Sequence, residues 1–225
     1  MMKNRIKKTM RKTVVGFALL SGIIVAGGNS ASAEEHSYLK DKNGHAVEYG
    51  AEYYIQLGAS TLPNYGNYWV GYNEDLDLQL PKVIGPMDIN NDLPTFTIEK
   101  TVADSSGNVI EELSDDLVTI RSTWENQSTG KGYFSVNPQN DINVKGPQSS
   151  GWSTDMAKWK PVKVESTVTP EVEKLNLYQF KNPATNKLIT SGGSQGSGSN
   201  GFDYLYARSA DEPRTYATTW RLVKK

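Results

Sequence analysis

The chain has 225 residues, 24 Lys and Arg against 25 Asp and Glu, and no cysteine. Disulfides, thiolate nucleophiles and Cys-based metal sites are thereby excluded. Six of the basic residues lie within the first twelve positions; the rest of the chain carries 18 basic against 25 acidic side chains, a net charge of −7. Such a balance argues against nucleic acid as a partner, because phosphate binding needs clustered Lys and Arg.

Taken from the start, Lys3, Arg5, Lys7, Lys8, Arg11 and Lys12 form a basic segment. The apolar run "VVGFALLSGIIVAGG" (14–28) follows, then Ala31-Ser32-Ala33. This is the pattern of a secretory signal peptide cleaved before Glu34. The apolar run is shorter than the ~20 residues of a membrane span. Residues 1–33 are therefore expected to be removed. Residues 34–225 are expected to form one extracellular domain that does not insert into a membrane.

Helical periodicity is nearly absent. Short alternating runs rich in Tyr, Val, Ile and Thr are separated by Gly, Pro, Asn, Asp and Ser, which predicts an all-β barrel or sandwich. The runs fall into three sets of four. The first is 53–58, 68–72, 76–80 and 95–100. The second is 117–122, 132–136, 142–146 and 158–164. The third is 175–180, 187–191, 204–209 and 219–224. Each set ends on an aromatic followed by an apolar residue: Phe96 with Ile98, Trp159 with Val162 across Pro161, and Trp220 with Leu222. Phe96 to Trp159 is 63 residues and Trp159 to Trp220 is 61. A threefold spacing of this kind points to internal repetition. It predicts a β-trefoil, with units at about 38–100, 101–164 and 174–225. The stretch 165–174 reads as a linker and the Gly/Ser-rich 191–201 as a loop.

The segment "LKDKNGHAVEYGAEYYIQ" (39–56) contains Asn43-Gly44, a two-residue hairpin signal. Asp41, Gly44, Val47, Gly50, Tyr53, Tyr54 and Ile55 also resemble the N-terminal signature of the Kunitz soybean trypsin inhibitor family. The resemblance implies a β-trefoil and a secreted binder without catalysis. It also implies an inhibitory loop between the fourth and fifth strands. Here that loop would be 101–116, with Lys100 at its edge and Asn108 and Val109 within it. The family's disulfides are absent. The loop carries Asp104, Glu111, Glu112, Asp115 and Asp116, whereas a trypsin-like pocket requires a basic residue in mid-loop. Ricin-type lectins share the fold, but their Gln-x-Trp triplets do not occur in this sequence.

No catalytic constellation can be assembled. His36 and His45 are the two histidines, without zinc-ligand spacing. Gly196 to Gly201 matches G-x-G-x-x-G in composition but precedes a strand pattern, whereas a dinucleotide site needs a helix there. Asp75 and Asp77 alternate with Leu76 and Leu78, which places the acids on a solvent face. The Asn/Asp-rich stretches 88–92 and 137–143 offer oxygen ligands for Ca²⁺, although Asx turns account for them equally well. No cofactor is implied. Tyr65, Trp124 and Trp152 are aromatics set among polar residues. They suit stacking on a sugar or anchoring a protein contact, or else capping the core. The expectation is thus a secreted, non-catalytic binding protein with a protein partner, or alternatively a lectin-like module with a glycan partner at a cell surface.

Overall fold

The computed structural model describes residues 39–58, 68–72, 80–84, 93–126, 130–164, 175–191, 203–211 and 218–225. The predicted signal peptide, Tyr65, His36, Asp75, Asp77, the 88–92 stretch and most of the Gly/Ser-rich loop lie outside them.

The strands run in chain order as β1 (Glu52–Leu57), β2 (Trp69–Gly71), β3 (Lys82–Ile84), β4 (Phe96–Glu99), β5 (Thr101–Ala103), β6 (Val109–Glu112) and β7 (Thr119–Asn126). They continue as β8 (Gly130–Val136), β9 (Ile142–Lys145), β10 (Lys160–Lys163), β11 (Tyr178–Asn182), β12 (Lys187–Ser191), β13 (Asp203–Ser209) and β14 (Trp220–Lys224). A one-turn helix, α1 (Thr154–Ala157), precedes β10.

Six strands close a barrel. β1 pairs with β4, β4 with β7, β10 with β11, β11 with β14, and β14 with β1. The remaining seam is the bridge between Val118 and Trp159, whose amides and carbonyls exchange bonds of 2.8 Å. The hairpins β2–β3, β8–β9 and β12–β13 cap one end. β3 pairs with β13, and an Asp141–Tyr206 bridge ties the second hairpin to the third. Six barrel strands and three cap hairpins, in three units of four, make this a β-trefoil.

Alternation explains the core. Phe96 and Ile98, and Trp220 and Leu222, are buried in pairs two residues apart. In the second unit the inward partner of Trp159 is Pro161, and Val162 is 40% exposed. The expected Trp159/Val162 pairing is corrected accordingly: period 2 holds through the proline. The indole N–H groups of Trp159 and Trp220 donate to the carbonyls of Phe134 and Ile189, each at 3.0 Å. These acceptors lie on the second strand of the same unit, so the hydrogen bond repeats with the fold. Where the units converge, Ile55 and Val70, Ile120 and Phe134, and Phe180 and Ile189 line a cavity of about 10 Å³. That is no more than the ~10–15 Å³ one water requires. The barrel axis is filled by side chains.

One predicted strand goes untested and one expected loop changes. The third strand of unit one, predicted at 76–80, lies outside the described residues except for Leu80; the strand described before β4 is Lys82–Ile84, paired to both β2 and β13. The 101–116 segment, predicted as a loop, contains the hairpin β5–β6, a two-stranded sheet of its own.

Candidate functional site

The β5–β6 hairpin is an insertion between the first two units, and its tip is built by a turn the chain uses elsewhere. Asp104 Oδ1 accepts from the amides of Ser106 and Asn108, both at 2.9 Å, and Gly107 N donates to the Asp104 carbonyl at 3.1 Å. Gly107 sits at φ +86, a left-handed conformation that glycine adopts without strain. Asn108 Nδ2 donates to Asp104 Oδ2 at 3.0 Å. That bond, with the backbone amides behind it, holds the Asp104 carboxyl below its ordinary range. Asn108, expected at a contact loop, is thus committed to shaping the turn.

The inner face of the hairpin is anchored. Val102 and Ala103 are buried, and Val102 packs in a satellite core with Tyr133, Ala157, Leu113 and Trp152. The Tyr133 hydroxyl accepts from Ala103 N at 2.8 Å. Burial is the main reason that this phenol's pKa is raised. Glu111 pairs with Lys158 beside α1, and Lys158 also meets Asp155 at 2.9 Å. These partners raise the lysine's pKa, Asp155 most. Gln148 Nε2 donates to Ser105 Oγ. Asn182 Nδ2, fully buried, donates to the carbonyls of Asp155 and Lys158 at 2.9 Å each and so holds α1 in place.

Lys100 closes the stem. Its ammonium donates to the carbonyls of Asp115 and Leu117 and lies 5.1 Å from the centroid of the Tyr49 ring. Burial pulls its pKa down, opposed by Asp115 and Asp116. Lys100 therefore braces the stem of the hairpin.

The outer face is different. β6 places Val109 at 55% and Ile110 at 49% exposure. Both sit opposite Ala103, where the register shifts by one residue. A bulge of this kind puts two consecutive side chains against one partner residue and bends the strand. Sequence reasoning named Val109 and missed Ile110. The short apolar runs in "TVA" and "VIEE" on either side of an Asp-x-x-Gly turn were the available signal.

Trp124 and Trp152 are placed apart in role. Trp152 is half-buried over the satellite core, in a capping position. Trp124 is 40% exposed on β7. Between the pairs Arg121–Tyr133 and Glu125–Lys131, β7 spends two residues more than β8. Ser122 Oγ seals this irregularity by accepting from Trp124 N at 3.1 Å, and Thr123 N donates to the Thr95 carbonyl at 3.2 Å. The Trp124 ring rests on Tyr72 at 5.8 Å, Tyr72 on Phe96 at 6.0 Å, and Phe96 on Phe134 at 5.1 Å. A chain of tilted and edge-on ring contacts thus runs from the surface into the core. Burial pushes the Tyr72 phenol's pKa well above the usual range.

His45 lies on the surface, its Nδ1 3.6 Å from Asp41 Oδ2. The 137–141 stretch is an Asx turn, with Asp141 N donating to Asn137 Oδ1 at 2.8 Å. Among the described residues no group of three or more His, Asp or Glu could hold a metal ion.

The architecture defines a class, and comparison with solved structures agrees with it. The chain is similar to a water-soluble chlorophyll protein from Brassica oleracea var. Botrytis, at TM-score 0.50 and 14% identity, over 83% of this chain and 98% of that one. It is similar to the receptor binding domain of botulinum neurotoxin D, at TM-score 0.54 and 15% identity, over 84% of this chain and 44% of that one. The serotype D ligand binding domain in complex with N-acetylneuraminic acid matches at TM-score 0.51 and 13% identity, over 84% of this chain and 45% of that one. The chain thus spans less than half the length of the neurotoxin structures. No family model matches it, and no curated protein matches it.

Proposed function

We propose that this chain is an exported, non-catalytic binding protein that engages a protein partner through the β5–β6 hairpin. The observation that carries this reading is the exposure of Val109 and Ile110 on a hairpin fixed at its stem, flank and inner face. A contact element held in one shape loses little conformational entropy on binding. The hairpin lies between the fourth and fifth trefoil strands, where the Kunitz resemblance implies an inhibitory loop. Inhibition of trypsin-like enzymes does not follow, since residues 101–116 contain no Lys or Arg. The test is affinity capture of surface proteins on immobilised residues 34–225, beside a Val109→Ser/Ile110→Ser variant of equal melting temperature. A partner retained by the parent and lost by the variant supports the reading. Equal retention refutes it. Detection of the released chain beginning at Glu34 tests export.

A second reading, glycan binding, is favoured by Trp124. An exposed indole backed by a chain of ring contacts suits the apolar face of a sugar. One of the similar neurotoxin structures is a complex with N-acetylneuraminic acid. A glycan array read with the parent and with Trp124→Ala tests it. Binding that survives the substitution would remove Trp124 from the site.

A further inference from the structure

The hairpin and its stem, 101–116, hold Asp104, Glu111, Glu112, Asp115 and Asp116 and no basic residue. Glu111 pairs with Lys158, and Asp116 with Lys160 at 2.9 Å. Lys100, at the edge of this segment, is turned to backbone carbonyls. Glu112, two residues after the apolar pair, is exposed, and Asp104 stands at the turn before the pair. The outer face therefore consists of a bulged Val109–Ile110 tip with carboxylates on both sides.

We infer that the occupant of this face is a basic protein segment, with Lys or Arg flanking one or more apolar side chains; this rests on the protein-binding reading of the hairpin. Charge complementarity selects the occupant. A second copy of this hairpin would bring acidic flanks together, and like charges across a contact oppose pairing. An anionic lipid surface is opposed by the same carboxylates. A basic segment meets the acids with its charges while its apolar side chains cover Val109 and Ile110. The bulge argues for side-chain docking over addition of a strand, because bulges bend an edge away from regular pairing.

The probe is a phage-displayed library of random 12-residue peptides selected on residues 34–225. Selected peptides are then synthesised and titrated against the parent, Val109→Ser/Ile110→Ser and Glu112→Lys. The substituted side chains are all exposed, and melting curves verify that each variant is folded. The expected result is enrichment of Lys and Arg around apolar residues. Affinity should fall about tenfold or more in the double variant, as for loss of a contact anchor. It should fall severalfold in Glu112→Lys and weaken as salt rises, since exposed charges are screened. Peptides that need Val109 and Ile110 but show no basic excess would overturn the basic partner and leave the hairpin reading standing. Peptides that bind the double variant equally would sink both. A selection yielding no binder would also count against the proposed occupant.

Discussion

Replacing Asp41 by alanine removes the acceptor shared by the amides of Asn43 and His45, at 2.8 and 2.9 Å, from a side chain only 2% exposed. Leaving such groups unpaired costs about 1–3 kcal/mol, so the urea midpoint should fall clearly. Asp104 makes the same bonds around the same Asp-x-x-Gly turn but lies in solvent, where water replaces a lost acceptor. Its alanine variant should leave the midpoint nearly unchanged, and equal losses in the two variants would refute this account. Asn137 repeats the device with Asn140 at φ +69 in the glycine's place. The recurrence also explains what could be read at 39–50. Asn43-Gly44 signals a two-residue hairpin in which both residues take positive φ. In the structure, of the two, only Gly44 does, and Gly44 N closes onto the Asp41 carbonyl at 3.0 Å. The feature that sets this geometry is an aspartate three residues upstream, and a two-residue motif does not contain it. The Asp41 and Gly44 of the Kunitz-like signature are accounted for by turn chemistry that Asp104 and Gly107 also supply.

At the scale of elements, period 2 made eleven of the twelve predicted strands readable, because each barrel or cap strand buries one face. The β5–β6 hairpin was not readable in that way. Val102 and Ala103 face a satellite core while Val109 and Ile110 face outward, so its apolar residues do not mark a single buried side. Its shape depends on a residue far along the chain. The Tyr133 hydroxyl, from β8, holds Ala103 N, and the Arg121 guanidinium lies 5.2 Å from the centroid of the same ring. Tyr133→Phe keeps the ring and removes the hydrogen bond. The expected cost is about 0.5–1.5 kcal/mol. Amide exchange should speed up in 101–112 while the barrel strands stay protected, since local opening depends on local anchoring. Cleavage near Val109 by a protease selective for branched apolar residues should accelerate in parallel. Uniform acceleration across the molecule would mean that Tyr133 supports the fold as a whole and not the hairpin in particular.

At the scale of the whole molecule, the repeat spacing was visible because each unit ends on a buried aromatic. What the spacing could not reveal is how the ring of strands closes. β1 and β14 pair over five residues, from Tyr53–Lys224 to Leu57–Trp220. Lys42 N reaches the Leu222 carbonyl at 2.7 Å, and Arg221 Nε donates to Gln56 Oε1 at 3.0 Å. Outside this buried seam lie two exposed ion pairs, Lys224–Glu48 at 2.6 Å and Lys225–Glu52 at 2.7 Å. The Lys225 bond is the largest reason that the Glu52 carboxyl sits below its usual value. Exposed pairs of this kind contribute at most about 1 kcal/mol. Deleting Lys224 and Lys225 should therefore leave a cooperative urea transition and near-native near-ultraviolet circular dichroism. Deleting 220–225 should abolish both. Without Trp220 and Leu222 the core loses two of its fully buried side chains, and β1 and β11 each lose a neighbour. If the longer deletion still unfolded cooperatively, the barrel would not require its sixth strand, and the threefold closure would be decorative in energy. If the shorter deletion already failed, the stability of the seam would rest on its surface charges and not on the buried pairing beneath them.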